Sequence, residues 1–232
     1  MPGNARWVPL ECNPEVFNGW ATQAGLEPSD QFYDLYGLDP ELLSATPRPV
    51  KAVIFVFPYS EARGRRVAED ERLAKEGGPR IDENVFWMKQ TIPDACGAMA
   101  LIHSLANTDI TLTPDSPLRV FLDDCRNKPV PERSKLLEDS PAFAEIHASV
   151  SGAGQSAVPA GHPDQGYCAF ISAPGEGSTA RRVIELDGTR AGPVDRGECT
   201  DLLGDVARIV KEEFMDKNSS VLYSMLYLGQ PM

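Results

Sequence analysis

The spacing of apolar and polar positions changes several times along the chain, and each change marks an element. Residues Trp7 to Pro14 read as extended, with Pro9 and Pro14 as punctuation. Asn13-Pro14-Glu15 then makes a helix start, Asn13 as the cap and Pro14 at the first helical position. That helix is expected to run to about Ala24 and to stop at Gly25. A second short helix is expected around Asp30 to Tyr36, and Leu38 to Leu43 adds a further turn before Pro47 and Pro49. Val50 to Tyr59 (VKAVIFVFPY) is an unbroken β-branched and aromatic run, the pattern of a central strand apolar on both faces. Ser60 to Lys75 has the period of a charged amphipathic helix, and its charges read as a solvated face.

The stretch Gln90 to Leu105 (QTIPDACGAMALIHSL) combines a turn containing Pro93 with a helix that opens at Cys96 and continues to about Ala106. It is apolar nearly all round, as a helix buried between layers must be. Ser116 to Asp123, Pro131 to Leu137 and Pro141 to Val150 predict three more helices. Ser151 to Gly166 has neither helix nor strand period, and a loop of that length is usually a lid, a binding loop or disorder. Tyr167 to Ala173 and Arg181 to Leu186 read as strands, the second closed by the turn signature Asp187-Gly188. A last helix over Asp201 to Phe214 and a terminal strand over Val221 to Leu228 complete the chain. This order predicts an α+β, papain-like layout: a central antiparallel sheet flanked by helices around a buried nucleophile helix, in one domain over 1–232.

Composition narrows the function classes. The 232 residues, 42% apolar and 24% charged, suffice for a core without staples. A formal net charge of −12 argues against a nucleic-acid binder and favours a basic protein partner. Five cysteines at 12, 96, 125, 168 and 199 form no C-x-x-C pair, which suggests a reducing compartment and no disulfide framework. Zinc lacks close Cys/His pairs, so no metal or cofactor is expected. The N-terminal MPGNARWVPLE lacks a signal-peptide core, and the apolar run Ala52 to Pro58 is too short for a bilayer. No membrane association and a cytosolic or nucleocytoplasmic location are therefore expected.

A cysteine at a helix start is stabilised as thiolate by the amide end of the helix. Gln90, six residues earlier, can offer an amide donor to an oxyanion. The ordinary alternative is a packed core cysteine, among the most buried of residue types. A thiol hydrolase also needs a base and a group to orient it. His103 lies on the same helix as Cys96, about 10 Å along the axis, and reads as a core residue. His147 sits in a charged helix and reads as a surface residue. His162 falls in the long loop, a poorly preorganised place for a base. Asp187 is well placed to orient a base, although Asp-Gly is also a common turn signal. Spacing alone leaves the base missing.

Taken together, WVPLECNPEVFN, VIFVFP with its charged helix, FWMKQTIPDACGAMALIHSLAN and IELDGTRAGPV resemble the ubiquitin carboxy-terminal hydrolases, the papain-like peptidase family C12. The resemblance spans essentially the whole chain. It implies Cys96 as nucleophile, Gln90 as oxyanion donor, Asp187 as orienting carboxylate, and residues 151–166 as a crossover loop limiting the leaving group. The departure is at the histidine. The family strand reads roughly aromatic-His-Phe-Val/Ile-Ser, so Cys168-Ala169-Phe170-Ile171-Ser172 puts Ala169 at that position. A shift by one would put Cys168 there and turn every side chain to the other face. The resemblance implies a deubiquitinating thiol hydrolase for small adducts on ubiquitin's C-terminal glycine, crippled at Ala169, or else an inactive ubiquitin-binding protein. The implied partner is ubiquitin, through its C-terminal tail and basic surface. With the chain ending soon after its terminal strand, a stand-alone monomer is expected.

Overall fold

A computed structural model describes residues 7–154, 164–217 and 222–231. Its centre is a six-stranded antiparallel sheet: β1 (Gln31–Asp34), β2 (Val50–Pro58), β3 (Gln165–Pro174), β4 (Arg181–Leu186), β5 (Val194–Glu198) and β6 (Ser224–Gly229), in the order β1-β6-β2-β3-β4-β5. This is the α+β layout expected from the pattern of elements. The helices are α1 (Pro14–Ala24), α2 (Pro40–Ala45), α3 (Tyr59–Glu76), α4 (Cys96–Ala106), α5 (Pro117–Cys125), α6 (Val130–Glu138), α7 (Pro141–Val150) and α8 (Leu202–Val210), the last continued by a π-helical turn at Lys211–Met215.

Strand pleat divides the core in two. Ala52, Ile54 and Val56 of β2, with Tyr167, Ala169 and Ile171 of β3, face α1 and α4. Val53, Phe55 and Phe57, with Cys168 and Phe170, face α8 and Phe214 of the π-helical turn. Both faces of β2 and β3 are thus covered, which is why these strands are continuous apolar runs. α1 begins as its sequence dictates: the Asn13 side chain accepts from the Val16 N–H at 2.9 Å and Pro14 follows. It ends at Gly25, whose φ of 111° places a would-be Cβ 2.1 Å from Ser116.

Three expectations need correction. The helix expected around Asp30 to Tyr36 is the edge strand β1, paired with β6 and held by Asn18, whose side chain bonds both Phe32 N–H (2.7 Å) and Phe32 C=O (2.9 Å). β5 was not anticipated; its sequence, VDRGE, is polar, and pairing with β4 is reinforced by Arg182–Asp195 at 2.9 Å. His147 is not on the surface. It is 2% exposed, bonded to the Val8 carbonyl at 2.6 Å, with its ring 4.3 Å from that of Trp7. None of the described helices is long and apolar enough to cross a membrane.

Candidate active site

The turn Gln90–Ala95 and the first residues of α4 build the site. Asp94 takes a left-handed φ of 61°, turning the chain into α4 without a side-chain cap. The first N–H groups of the helix are therefore free to face the sulfur of Cys96. Gly97 follows because there is little room for a side chain: a Cβ would stand 3.2 Å from Leu10 and 3.5 Å from the Tyr167 ring. The Tyr167 hydroxyl in turn donates to the Leu10 carbonyl at 2.7 Å, and the Trp7 N–H donates to the Pro93 carbonyl at 3.2 Å. The N-terminal segment is thus fastened across the start of α4.

The structure brings Gln90, Cys96 and the Asp187 region together. The Gln90 N–H donates to the Gly188 carbonyl at 2.8 Å, and its Nε2 donates to the Ile92 carbonyl at 3.2 Å, which leaves a second Nε2 hydrogen unspent. Its Oε1 is buried without a partner. The thiol of Cys96 donates to the Gln165 carbonyl at 3.9 Å, where β3 begins. Burial pushes this thiol up to about 12; the Asp187 charge adds to the rise, the Gly97 N–H opposes it, and Asp94 adds again. At neutral pH the site holds a thiol.

The histidines do not supply the missing base among the described residues. His103 is fully buried, its Nε2 accepting from the Met88 N–H at 3.2 Å, and burial lowers it to about 4. His147 is spent on Val8, and burial lowers it too. His162, and the part of the expected crossover loop at 155–163, lie outside the described residues.

Ala169 is not brought to the sulfur. It pairs with Ile54 and Leu186, is fully buried, and points into the α4 side of the core. From Gln165, the residue that touches Sγ, it is four residues away, about 13 Å along an extended strand. The Asp187 carboxylate is on the opposite face, among Arg66, Phe57 and Phe214. The strand position that is both next to Gln165 and turned to the Asp187 face is Gly166. Its would-be Cβ lies 2.6 Å from the Phe57 ring.

Asp187 itself is 2% exposed and fully engaged. Oδ1 accepts from the Thr189 N–H (2.7 Å) and hydroxyl (2.8 Å), while Oδ2 accepts from Arg66 Nη2 at 2.5 Å. Arg66 also reaches Glu185 at 2.7 Å, and Glu185 is shared with Arg196 (2.7 Å) and Arg190 (3.6 Å). Burial opposes ionisation of Glu185, but Arg196, Arg66 and Arg190 outweigh it and hold the carboxyl well below its usual range. Sequence reasoning missed Arg66 because one buried arginine on a charged helix leaves no signal in the pattern. No group of three or more His, Cys, Asp or Glu among the described residues could hold a metal ion.

A family model described as "Ubiquitin carboxyl-terminal hydrolase, family 1" matches residues 7–216. The chain is 32% identical over 231 residues to ubiquitin carboxyl-terminal hydrolase 3 of Arabidopsis thaliana, covering 97% of this chain and 94% of that protein. A Drosophila melanogaster ubiquitin carboxyl-terminal hydrolase is 32% identical over 224 residues, 96% of each chain. Among solved structures, the catalytic domain of Trichinella spiralis UCH37 bound to ubiquitin vinyl methyl ester superposes with a TM-score of 0.73 at 22% identity, covering 98% of this chain and 97% of that one.

Proposed function

The chain belongs to the ubiquitin carboxyl-terminal hydrolase family, and from that premise we propose that it binds ubiquitin with the C-terminal tail laid over Cys96 and hydrolyses it very poorly. The observation that carries this reading is the hydrogen bond of the Cys96 thiol to a backbone carbonyl, that of Gln165, with neither described histidine, His103 or His147, turned to the sulfur.

The Cys96 thiolate attacks the terminal glycine carbonyl, and the oxyanion is met by Gln90 Nε2 and the free N–H groups opening α4. Collapse of that intermediate must expel an amine, which leaves only when protonated. A thiol held at about 12 is scarcely ionised at pH 7, and the described residues offer no acid to the leaving nitrogen. Binding of the tail requires neither step. Losing one triad member costs about 10⁴–10⁶ in turnover in the serine-protease template.

The first reading is a crippled deubiquitinase for small adducts. The second, a binding-only protein, is favoured by the capture of Asp187 by Arg66. The discriminating experiment measures ubiquitin binding by fluorescence polarisation alongside cleavage of a fluorogenic ubiquitin C-terminal amide. Tail-dependent binding with slow, Cys96-dependent cleavage supports the first reading, and binding without cleavage supports the second. Turnover near 1–10 s⁻¹, typical of ordinary enzymes, would overturn both, and His162→Ala would then test whether position 162 supplies the base. The acidic chain is proposed to engage ubiquitin's basic surface, so affinity should fall as salt rises. We further propose a cytosolic monomer, which light scattering and fractionation would check.

A further inference from the structure

We infer that Arg66 is a positioning residue that holds Asp187 in place of a base, so that the loss of the histidine is built into several positions of this site. The inference rests on the reading of Cys96 as the site's thiol.

Arg66 projects from the charged helix α3, yet it is only 7% exposed. Its guanidinium lies 4.8 Å from the Phe57 ring centroid and 5.7 Å from that of Phe214, with Nη2 directed at both Asp187 and Glu185. Its Nε and Nη1 are buried with no acceptor. As filler, such a group is poor, because two unbonded buried donors cost more than an aliphatic side chain of the same size. What it adds is charge. Glu185 already has Arg196 at 2.7 Å and Arg190 at 3.6 Å, whereas Asp187 has no ion pair besides Arg66 among the described residues.

The surrounding space is closed in the same way. Continuing the β3–β4 register by one pair sets Cys168 opposite Asp187, and Cys168 is fully buried on that face. Gly166, the diagonal neighbour and the residue beside the sulfur contact, looks onto the Phe57 ring that carries Arg66 on its face. An imidazole from β3 that joined Cys96 to Asp187 would push aside the far edge of the Phe57 ring and then meet Arg66. Three features therefore agree: no side chain at 166, an aromatic ring over it, and a cation on the carboxylate.

The test uses chloroacetamide, which needs no ubiquitin, with Cys96 modification read by peptide mass spectrometry at pH 7 on the full chain. Failure of ubiquitin binding therefore leaves the test intact. Gly166→His alone should stay within about threefold of the parent, as should Arg66→Met alone. Gly166→His with Arg66→Met should react at least tenfold faster, with a new pH midpoint near that of an imidazole, about 6–7. Gly166→His with Arg66→Lys, which keeps the charge, should behave like Gly166→His alone. Full reactivity of Gly166→His with Arg66 present would overturn the inference, as would a folded double variant with no gain. Should the 166 variants fail to fold, urea unfolding of Arg66→Met, Asp187→Asn and their double decides. Arg66 and Asp187 are expected to couple, the double losing less than the product of the single fold-changes, and additive losses would overturn the pairing.

Discussion

The backbone of Gln90 is fastened to the backbone of Gly188, N–H to carbonyl at 2.8 Å, so that the turn before α4 is tied to the turn after β4. The contact is close on the other side as well: a Cβ at Gly188 would stand 3.0 Å from Gln90 Cβ, 3.1 Å from Gln90 N and 3.1 Å from the end of Met99. The Met99 side chain can give, but the Gln90 backbone can do so only by shifting Gln90, the proposed oxyanion donor. Gly188→Ala is therefore expected to cost about 1–3 kcal/mol by urea denaturation. It should slow labelling of Cys96 by a ubiquitin-based thiol probe more than it slows labelling by free chloroacetamide, since only the former depends on Gln90.

Restoring histidine at the position suggested by the strand motif should not restore activity. Ala169 is fully buried against α4, between Ile54 and Leu186, and faces away from Asp187. An imidazole there overfills the core, at a cost of about 1–3 kcal/mol, and gains neither the sulfur nor the carboxylate. Ala169→His is expected to lose stability in urea while chloroacetamide labelling of Cys96 at pH 7 stays unchanged. A gain of tenfold or more would show that the strand register differs from the one described.

These two cases show what the sequence could and could not carry. The helix α4 was legible because an unbroken apolar run of this length, opening after a proline turn, leaves few alternatives. β2 was legible because a strand buried on both faces is apolar at every position. Which β3 residue stands beside the sulfur was not, because a five-residue strand motif has a period of two and no internal anchor for register; the contact of Cys96 with Gln165 supplies one. β1 was misread for a related reason. Its four residues are specified by pairing with a strand near residue 228 and by the Asn18 clamp, neither of which is local. Arg66 was hidden because charge pattern on a helix does not say which single cation turns inward.

The Asn18 clamp has a measurable cost of removal. Its amide satisfies both backbone groups of Phe32 on the α1 side of β1, at 2.7 and 2.9 Å. Asn18→Ala leaves that pair without partners, which should cost about 1–3 kcal/mol in chemical denaturation. Hydrogen exchange should localise the loosening to residues 31–34, with α4 still protected.

His103 predicts how stability responds to mild acid. Its pKa is about 4 in the folded state against an ordinary 6.5, lowered by burial. The unfolded chain therefore takes up the proton first as pH falls below 6.5, and folding stability drops until the folded form titrates near 4. Between pH 7 and pH 5 this amounts to about 2 kcal/mol. His147, lowered in the same direction by burial, adds to the slope. His103→Gln, which can still accept from Met88, should unfold in urea with a visibly flatter dependence over that range. An unchanged slope would mean that His103 is not the buried neutral group described.

The thiol itself provides the last prediction. Cys96 is pushed up to about 12 by burial and by the charge of Asp187, with no imidazolium among the described residues to draw it down. Each unit of pH from 7 to 10 should then raise the thiolate fraction, and with it alkylation by chloroacetamide, about tenfold. A thiol paired with histidine behaves differently, its reactivity levelling near neutrality because the thiolate–imidazolium pair is already formed. Cys12, also raised to about 12, and Cys125, raised to about 11, would follow similar slopes, so the measurement must be made on the Cys96 peptide. A plateau below pH 8 at that peptide would place a base beside the sulfur. His162→Ala would then show whether position 162 provides it, by restoring the tenfold slope.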